Sequence, residues 1–231
     1  LIVFWGVLMG CVAAVMLVSG CSGYAPTPLP SPSPSPSLER PSSAPQTCDD
    51  ATVSYEPGEL PAVGSMPSGS RMAQIAKRGR LIAGVSADTF LLGARNPATG
   101  TIEGFDIDMS RSIADAIFGD PDKIELKVIS AADRIPALED RRVDIVVRAM
   151  TMTCQRWQQV AFSAVYYRAG QKVLARTDSG IEAVTDLAGR TVCAPNGTSS
   201  VDNLLRRIPR AELITADNHT GCLLLFQNGT V

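Results

Sequence analysis

The sequence predicts an α/β protein in which a strand–helix pattern runs twice along the chain. Three observations point there. Between Leu81 and Val147 short apolar runs alternate with amphipathic ones in the order βαβαβ, which argues for a mostly parallel sheet with helices on its faces. After Ser163 the pattern restarts with further short strands and helices. The 231 residues are 45% hydrophobic, ample for a core in one large domain or two small lobes.

The chain opens with a segment that does not belong to this core. Leu1–Gly20 is apolar and uncharged, and it ends in Val18-Ser19-Gly20-Cys21. Its length suits a membrane helix, yet small residues just before a cysteine read as a processing site. The run resembles a bacterial lipobox, in which Cys21 is lipidated and becomes the mature N-terminus. An uncleaved anchor helix is the alternative. A start Met and a basic leader are lacking, so the chain is expected to be clipped at its front. Pro26–Pro45 follows, with the repeat Ser-Pro-Ser-Pro-Ser-Pro-Ser, whose polyproline II preference makes a semi-rigid tether. Disorder is expected to extend through much of Ala51–Gly69.

The folded part begins with Ser70 as the N-cap of a helix at Arg71–Arg78, stopped by Gly79. Leu81–Val85 is an apolar strand, and Ala87–Thr101 a loop with the turn signal Asn96-Pro97-Ala98-Thr99-Gly100. Asp106–Phe118 carries apolar residues on one helical face and ends at Gly119. Ile124–Ile129 alternates as a half-buried strand does; Ala131–Glu139 reads as a helix, and Val143–Val147 as a strand. In the second half Lys172–Ala175, Thr191–Ala194 and Leu213–Thr215 are expected strands, Thr185–Leu187 a turn, and Val201–Ile208 and Cys222–Asn228 helices.

Where the strand Val143–Val147 ends lies the stretch with chemistry, Arg148–Ser163. Thr151 and Thr153 offer hydroxyls and backbone N–H groups at a strand terminus. Arg156, one turn into the following helix, carries a guanidinium that can fork onto a carboxylate. A donor-rich strand end beside a bidentate cation suits a small carboxylate at the carboxyl edge of an α/β sheet; an exposed Arg in a surface ion pair is the alternative. The second half holds a similar feature. Asn196-Gly197-Thr198-Ser199-Ser200 precedes a helix and points N–H groups and hydroxyls outward, as an anion site or as a plain N-cap.

Composition removes other classes. A net charge of -2 argues against nucleic acid as a partner. The one histidine, His219, sits in a polar run and reads as a solvated helix start, leaving little for His-based catalysis or a metal site. Of six cysteines, Cys11 and Cys21 fall in the leader, while Cys48, Cys154, Cys193 and Cys222 form an even set without CxxC spacing. Of the three possible pairings, the placement of Cys193 and Cys222 in one region favours Cys193–Cys222. Cys48–Cys154 would then pin the N-terminal arm beside the Arg148–Ser163 stretch.

Together, Gly104-Phe105-Asp106-Ile107-Asp108, the Thr151-x-Thr153-x-x-Arg156 pattern with Phe162-Ser163, and Gly197-Thr198-Ser199-Ser200 resemble the polar amino-acid-binding proteins of ABC importers, the family-3 solute-binding group. The likeness runs from about Arg71 to the end, and the lipobox, tether and cysteines resemble those of actinobacterial glutamine/glutamate-binding lipoproteins. The resemblance implies a type II periplasmic-binding-protein-like fold. Leader and lipobox would span 1–21, tether and arm 22–69, lobe one 70–166 and lobe two 167–231, with a hinge near Ala164–Gly170. It implies a monomer anchored by lipid outside the cytoplasmic membrane that hands an amino acid to permease subunits, or else reports it to a membrane signalling protein. No cofactor, metal or catalytic residue is implied.

The resemblance also assigns residues. Arg156 would hold the α-carboxylate with Thr151 and the helix start Thr198–Ser200; the Ala149 backbone and the Thr151 hydroxyl would meet the α-amino group. Arg134, in Arg-Ile-Pro-Ala-Leu, matches relatives whose Arg meets a side-chain carboxylate, which favours glutamate and aspartate over glutamine and asparagine; a surface pair with Asp133 or Glu139 is the alternative. Ser86 and Asp88 occupy a loop where some relatives contact ligand. The family's acid for the α-amino group would lie beyond Val231, so lobe two is expected to be incomplete.

Overall fold

The computed structural model describes residues 48–56 and 61–231. Cys21 and the Pro/Ser run of the expected tether lie outside the described residues.

The apolar run Leu81–Val85 (β1) is the centre of lobe one. It pairs in parallel with Ile124–Val128 (β5), Leu81 opposite Ile124, and with Ile145–Val147 (β6), Ala83 opposite Ile145, giving the order β5-β1-β6. Leu81, Ala83 and Val85, on one face, are fully buried, and Ile82 packs against the Ile129–Ala137–Val143 cluster on the other, so the strand is covered on both faces. Arg71–Arg78 (α1) is capped by Ser70, whose hydroxyl accepts from the Ala73 N–H, and is closed by Gly79. Its Arg71 and Arg78 reach the buried carboxylate of Asp144, which also accepts the Ile82 N–H at 2.8 Å. Phe105–Phe118 (α2) turns Ile107, Ser110, Ala114 and Ile117 inward at helical spacing. Ile107, Ala114 and Ile117 form two clusters against β1 with Ile75, Leu81, Ala83 and Val85. Arg134–Glu139 (α3) packs Ala137 with Ile129 and Val143 under the sheet.

The expected loop Ala87–Thr101 keeps its turn at 96–100, where the Gly100 N–H donates to the Asn96 carbonyl at 2.8 Å, but it also contains Asp88–Thr89 (β2) and Gly93–Arg95 (β3), which form a small antiparallel meander with Ile102–Glu103 (β4). Its strands are two or three residues long, too short for an alternating pattern to be visible. Gly104 locks the meander to α2: at φ 126 a Cβ would lie 2.6 Å from the Leu92 carbonyl oxygen.

In lobe two Thr191–Pro195 (β7) pairs in parallel with Glu212–Ala216 (β8), Cys193 opposite Ile214. Ser199–Arg207 (α5) covers them through Val201 and Leu204, joined by Leu187, Ala194 and Ile208. Lys172–Ala175 is not a strand. Among the described residues no strand pairs with it to complete its backbone bonds, and it borders a cavity of about 580 Å³ lined also by Ile181, Leu187 and Leu204. Helix starts shifted too: α3 begins three residues later than expected, because Ser130 binds the Asp133 N–H in a turn ahead of it.

Both expected disulfides are present, with Cα–Cα separations of 5.6 Å for Cys48–Cys154 and 5.5 Å for Cys193–Cys222. The second holds His219–Gln227 (α6), a helix that buries no residue and leaves Leu224 half exposed. The exposed helix start expected for His219 is found. Replacing the bridge by Cys193→Ser/Cys222→Ser is expected to cost about 3 kcal/mol and to bring α6 amide exchange close to unfolded rates. Chemical denaturation with hydrogen exchange checks this; protected α6 amides in the variant would contradict it.

Candidate ligand-binding site

The site forms where β6 ends. Arg148, the next residue, is buried; its Nε donates to the Ile129 carbonyl at 2.8 Å and its guanidinium lies 4.0 Å from Asp88. Ala149 then takes φ 34, a conformation strained for a residue with a Cβ. The buried carboxylate of Asp106, in the first turn of α2, holds it there by accepting the Ala149 N–H at 3.1 Å. The strained residue breaks the strand and swings the chain out to Thr151 and Thr153.

Thr153 caps the one-turn helix Cys154–Trp157 (α4), accepting the Arg156 N–H. The Arg156 guanidinium folds back over this turn. One nitrogen donates to the Thr151 carbonyl at 2.7 Å and the other to the Gly197 carbonyl, in lobe two, at 3.2 Å. The Ser199 hydroxyl donates to the Thr151 hydroxyl at 3.1 Å, a second bond between the lobes. Thr198 stands at the N-cap of α5 but turns its hydroxyl to the Pro195 carbonyl, so no side chain caps the helix start at Ser199 and Ser200. A first turn without such a cap presents N–H groups and the positive end of the helix to an anion.

Arg134 is brought into the same cluster, and the expected alternative of a surface pair with Asp133 or Glu139 is overturned. Asp133 binds Arg142 instead. Arg134 is 3% exposed and donates to the carbonyls of Ala131 at 2.7 Å, Ala149 at 3.1 Å and Gly197 at 2.9 Å. The Gly197 carbonyl thus accepts from two arginines at once. Burial, and then the nearby Arg156 and Arg148 cations, push Arg134 down to about 9. Burial also lowers Arg156, against the pull of Asp202.

Two carboxylates belong to the neighbourhood. Burial pushes Asp106 up, opposed by the Ala149 N–H, the Tyr166 hydroxyl and Arg148. Asp88 accepts the Ser86 hydroxyl at 2.8 Å and, across the lobes, the Thr220 N–H at the start of α6 at 3.1 Å. Burial alone would raise Asp88; the Thr220 and Ser86 bonds and Arg148 together hold it below the ordinary value. Sequence reasoning assigned no role to Asp106 or Thr220, and took Gly197 only as part of the donor run Asn196–Ser200, not for its carbonyl. The Gly-Phe-Asp run was the available signal for Asp106, while nothing local marks Thr220.

A family profile described as bacterial extracellular solute-binding proteins, family 3, matches residues 81–227. The chain is 40% identical over 159 residues to the glutamine-binding protein of Geobacillus stearothermophilus, covering 68% of this chain and 61% of that protein. It is 36% identical to the ABC transporter glutamine-binding protein GlnH of Bacillus subtilis, covering 68% of this chain and 58% of that one. Among solved structures, the ancestral amino acid-binding protein AncCDT-1, a precursor of cyclohexadienyl dehydratase, superposes with a TM-score of 0.65 at 30% identity, covering 70% of this chain and 71% of that one. The chain spans about three fifths of the length of these two curated relatives.

Gly197 closely approaches lobe one: at φ 69, a Cβ would lie 2.5 Å from the Ala132 Cα. Gly197→Ala is therefore expected to push its carbonyl off both guanidinium groups and to destabilise the chain by about 1–3 kcal/mol. Denaturation midpoints equal to wild type would contradict this placement.

Proposed function

This chain belongs to the bacterial extracellular solute-binding proteins, family 3, and on that premise we propose that it binds a polar amino acid between its lobes and presents it to an ABC importer. Arg156 carries the reading. Its two terminal nitrogens reach one carbonyl in each lobe, Thr151 and Gly197. A ligand carboxylate inserted there meets the same planar fork bidentately, so one anionic group is held from both sides. The start of α5 at Thr198, Ser199 and Ser200 adds the positive end of a helix. The Ala149 carbonyl and the Thr151 hydroxyl are the acceptors for the α-amino group.

For the ligand side chain we read an acid, glutamate or aspartate, ahead of glutamine and asparagine. Arg134 is a buried cation whose hydrogen-bond partners are neutral carbonyls, with two further arginines close by. Such a field favours a second carboxylate over an amide, while an amide still finds neutral hydrogen bonds. The glutamine named in both relatives stays within this range.

We read the role as binding rather than catalysis, since Asp88 and Asp106 beside the site each hold protein donors. We place the protein on the outer face of the membrane as a monomer, with Cys21 lipidated and the Pro/Ser run as tether. Among the described residues no helix is long and apolar enough to cross a membrane.

Arg156→Ala removes the cation and is expected to weaken binding of the preferred amino acid by roughly 3–5 kcal/mol. Calorimetric titration of wild type and variant reads this directly. Near-wild-type affinity in the variant would remove Arg156 from the site.

A further inference from the structure

The helix that carries Arg156 has little holding it in place from within. It is a single turn of four residues, Cys154–Trp157, with no buried side chain. A turn that short does not persist by its own hydrogen bonds. What fastens it comes from residues 48–56, about a hundred positions earlier. The disulfide Cys48–Cys154 enters α4 at its first residue. The Trp157 indole N–H, at its last residue, donates to the Ala51 carbonyl at 2.8 Å. Just beyond, the Ser54 hydroxyl donates to the Phe162 carbonyl at 2.7 Å. The Trp157 ring is held edge-on between Tyr55, at 5.6 Å, and Phe162, at 5.2 Å.

These contacts bracket Arg156 on both sides without burying the arm. Val53 is 65% exposed and Tyr55 75% exposed, so the arm adds little apolar burial to the fold. Its bonds are covalent and directional, and they converge on the one turn that bears the guanidinium. An element of the hydrophobic core would show the opposite balance.

We infer that the arm Cys48–Tyr55 is a strap that positions Arg156 by fixing α4, making Trp157 and the Cys48–Cys154 bridge positioning residues for ligand binding. The inference rests on the reading of Arg156 as the ligand's carboxylate partner for its effect on affinity. Its structural part, that the arm sets the order of α4, stands independently of that reading. With arm and ligand favouring the same pose of α4, each strengthens the other by one common factor.

The test compares the whole chain with Cys48→Ser/Cys154→Ser, Trp157→Ala and Trp157→Phe. Without ligand, amide exchange in the double variant and in Trp157→Ala is expected to rise at residues 154–160 and 196–199, with β1 and β5 still protected. Trp157→Phe, which keeps the ring contacts, is expected to restore most of the protection. Exchange unchanged at 154–160, or raised evenly through lobe one, overturns the strap. With glutamate, and separately glutamine, as the titrant, the disulfide variant is expected to bind about tenfold more weakly, and saturating titrant to shift the equilibrium of Cys48–Cys154 with dithiothreitol toward the disulfide by the same factor. Equal affinity of the two proteins overturns the positioning role even where exchange rises. Wild type that binds neither amino acid nor any other α-amino acid refutes the proposed function, and the exchange comparison then decides the strap alone.

Discussion

A guanidinium keeps its charge and its five donors when it is buried, so the structure around it has to supply acceptors. Arg134 is such a group, and its acceptors are carbonyls of Ala131 and Ala149 in lobe one and of Gly197 in lobe two. The meeting of the lobes follows from that demand. Gly197 has to come close enough for its carbonyl to reach Arg134 and Arg156 together, and only a residue without Cβ can sit so near Ala132. The site is therefore less a hollow than a knot of cations around carbonyl oxygens, with that of Gly197 shared by two of them.

The rest of lobe one supports that knot. Ala149 offers its carbonyl to Arg134 because its strained backbone turns it there, and Asp106 holds the strain by accepting the Ala149 N–H. Asp106 also accepts the hydroxyl of Tyr166, from the segment crossing between the lobes, at 3.3 Å. The ring of Phe105, beside Asp106, lies 6.0 Å and 5.8 Å from those of Tyr166 and Tyr167. The start of α2, the end of β6 and the crossing segment thus share one carboxylate. On the far side Asp88 receives the start of α6, so lobe two touches lobe one at two separate helix starts.

Much of this was legible in the chain. β1, α1, α2 and β5 follow from apolar spacing with Ser70, Gly79 and Gly119 as punctuation; Cys193–Cys222 follows from two cysteines lying in one region, and Cys48–Cys154 from the two that remain. Arg156, Thr151 and the Gly197–Ser200 run were readable because their chemistry is carried by neighbours a few residues apart. What was not readable depends on contacts between distant segments. The hydrogen-bond partners of Arg134 come from residues 131, 148, 149 and 197, so local sequence left open a surface pair with Asp133 or Glu139 as the alternative, whereas Asp133 in fact pairs with Arg142. Lys172–Ala175 has strand-like residues, but pairing needs a partner strand that no local pattern reveals. The meander around β3 has strands too short to leave a period.

The central claim is that the arginine cluster at the lobe junction selects for negative charge on the amino acid it receives. Competitive calorimetry of glutamate against glutamine on the wild-type chain tests this most directly, since the two differ by one carboxylate in place of an amide. Charge set by Arg134 with Arg156 and Arg148 predicts tighter binding of glutamate by about tenfold or more, equivalent to about 1.4 kcal/mol. Tighter binding of glutamine, or equal affinity for the two, would contradict it.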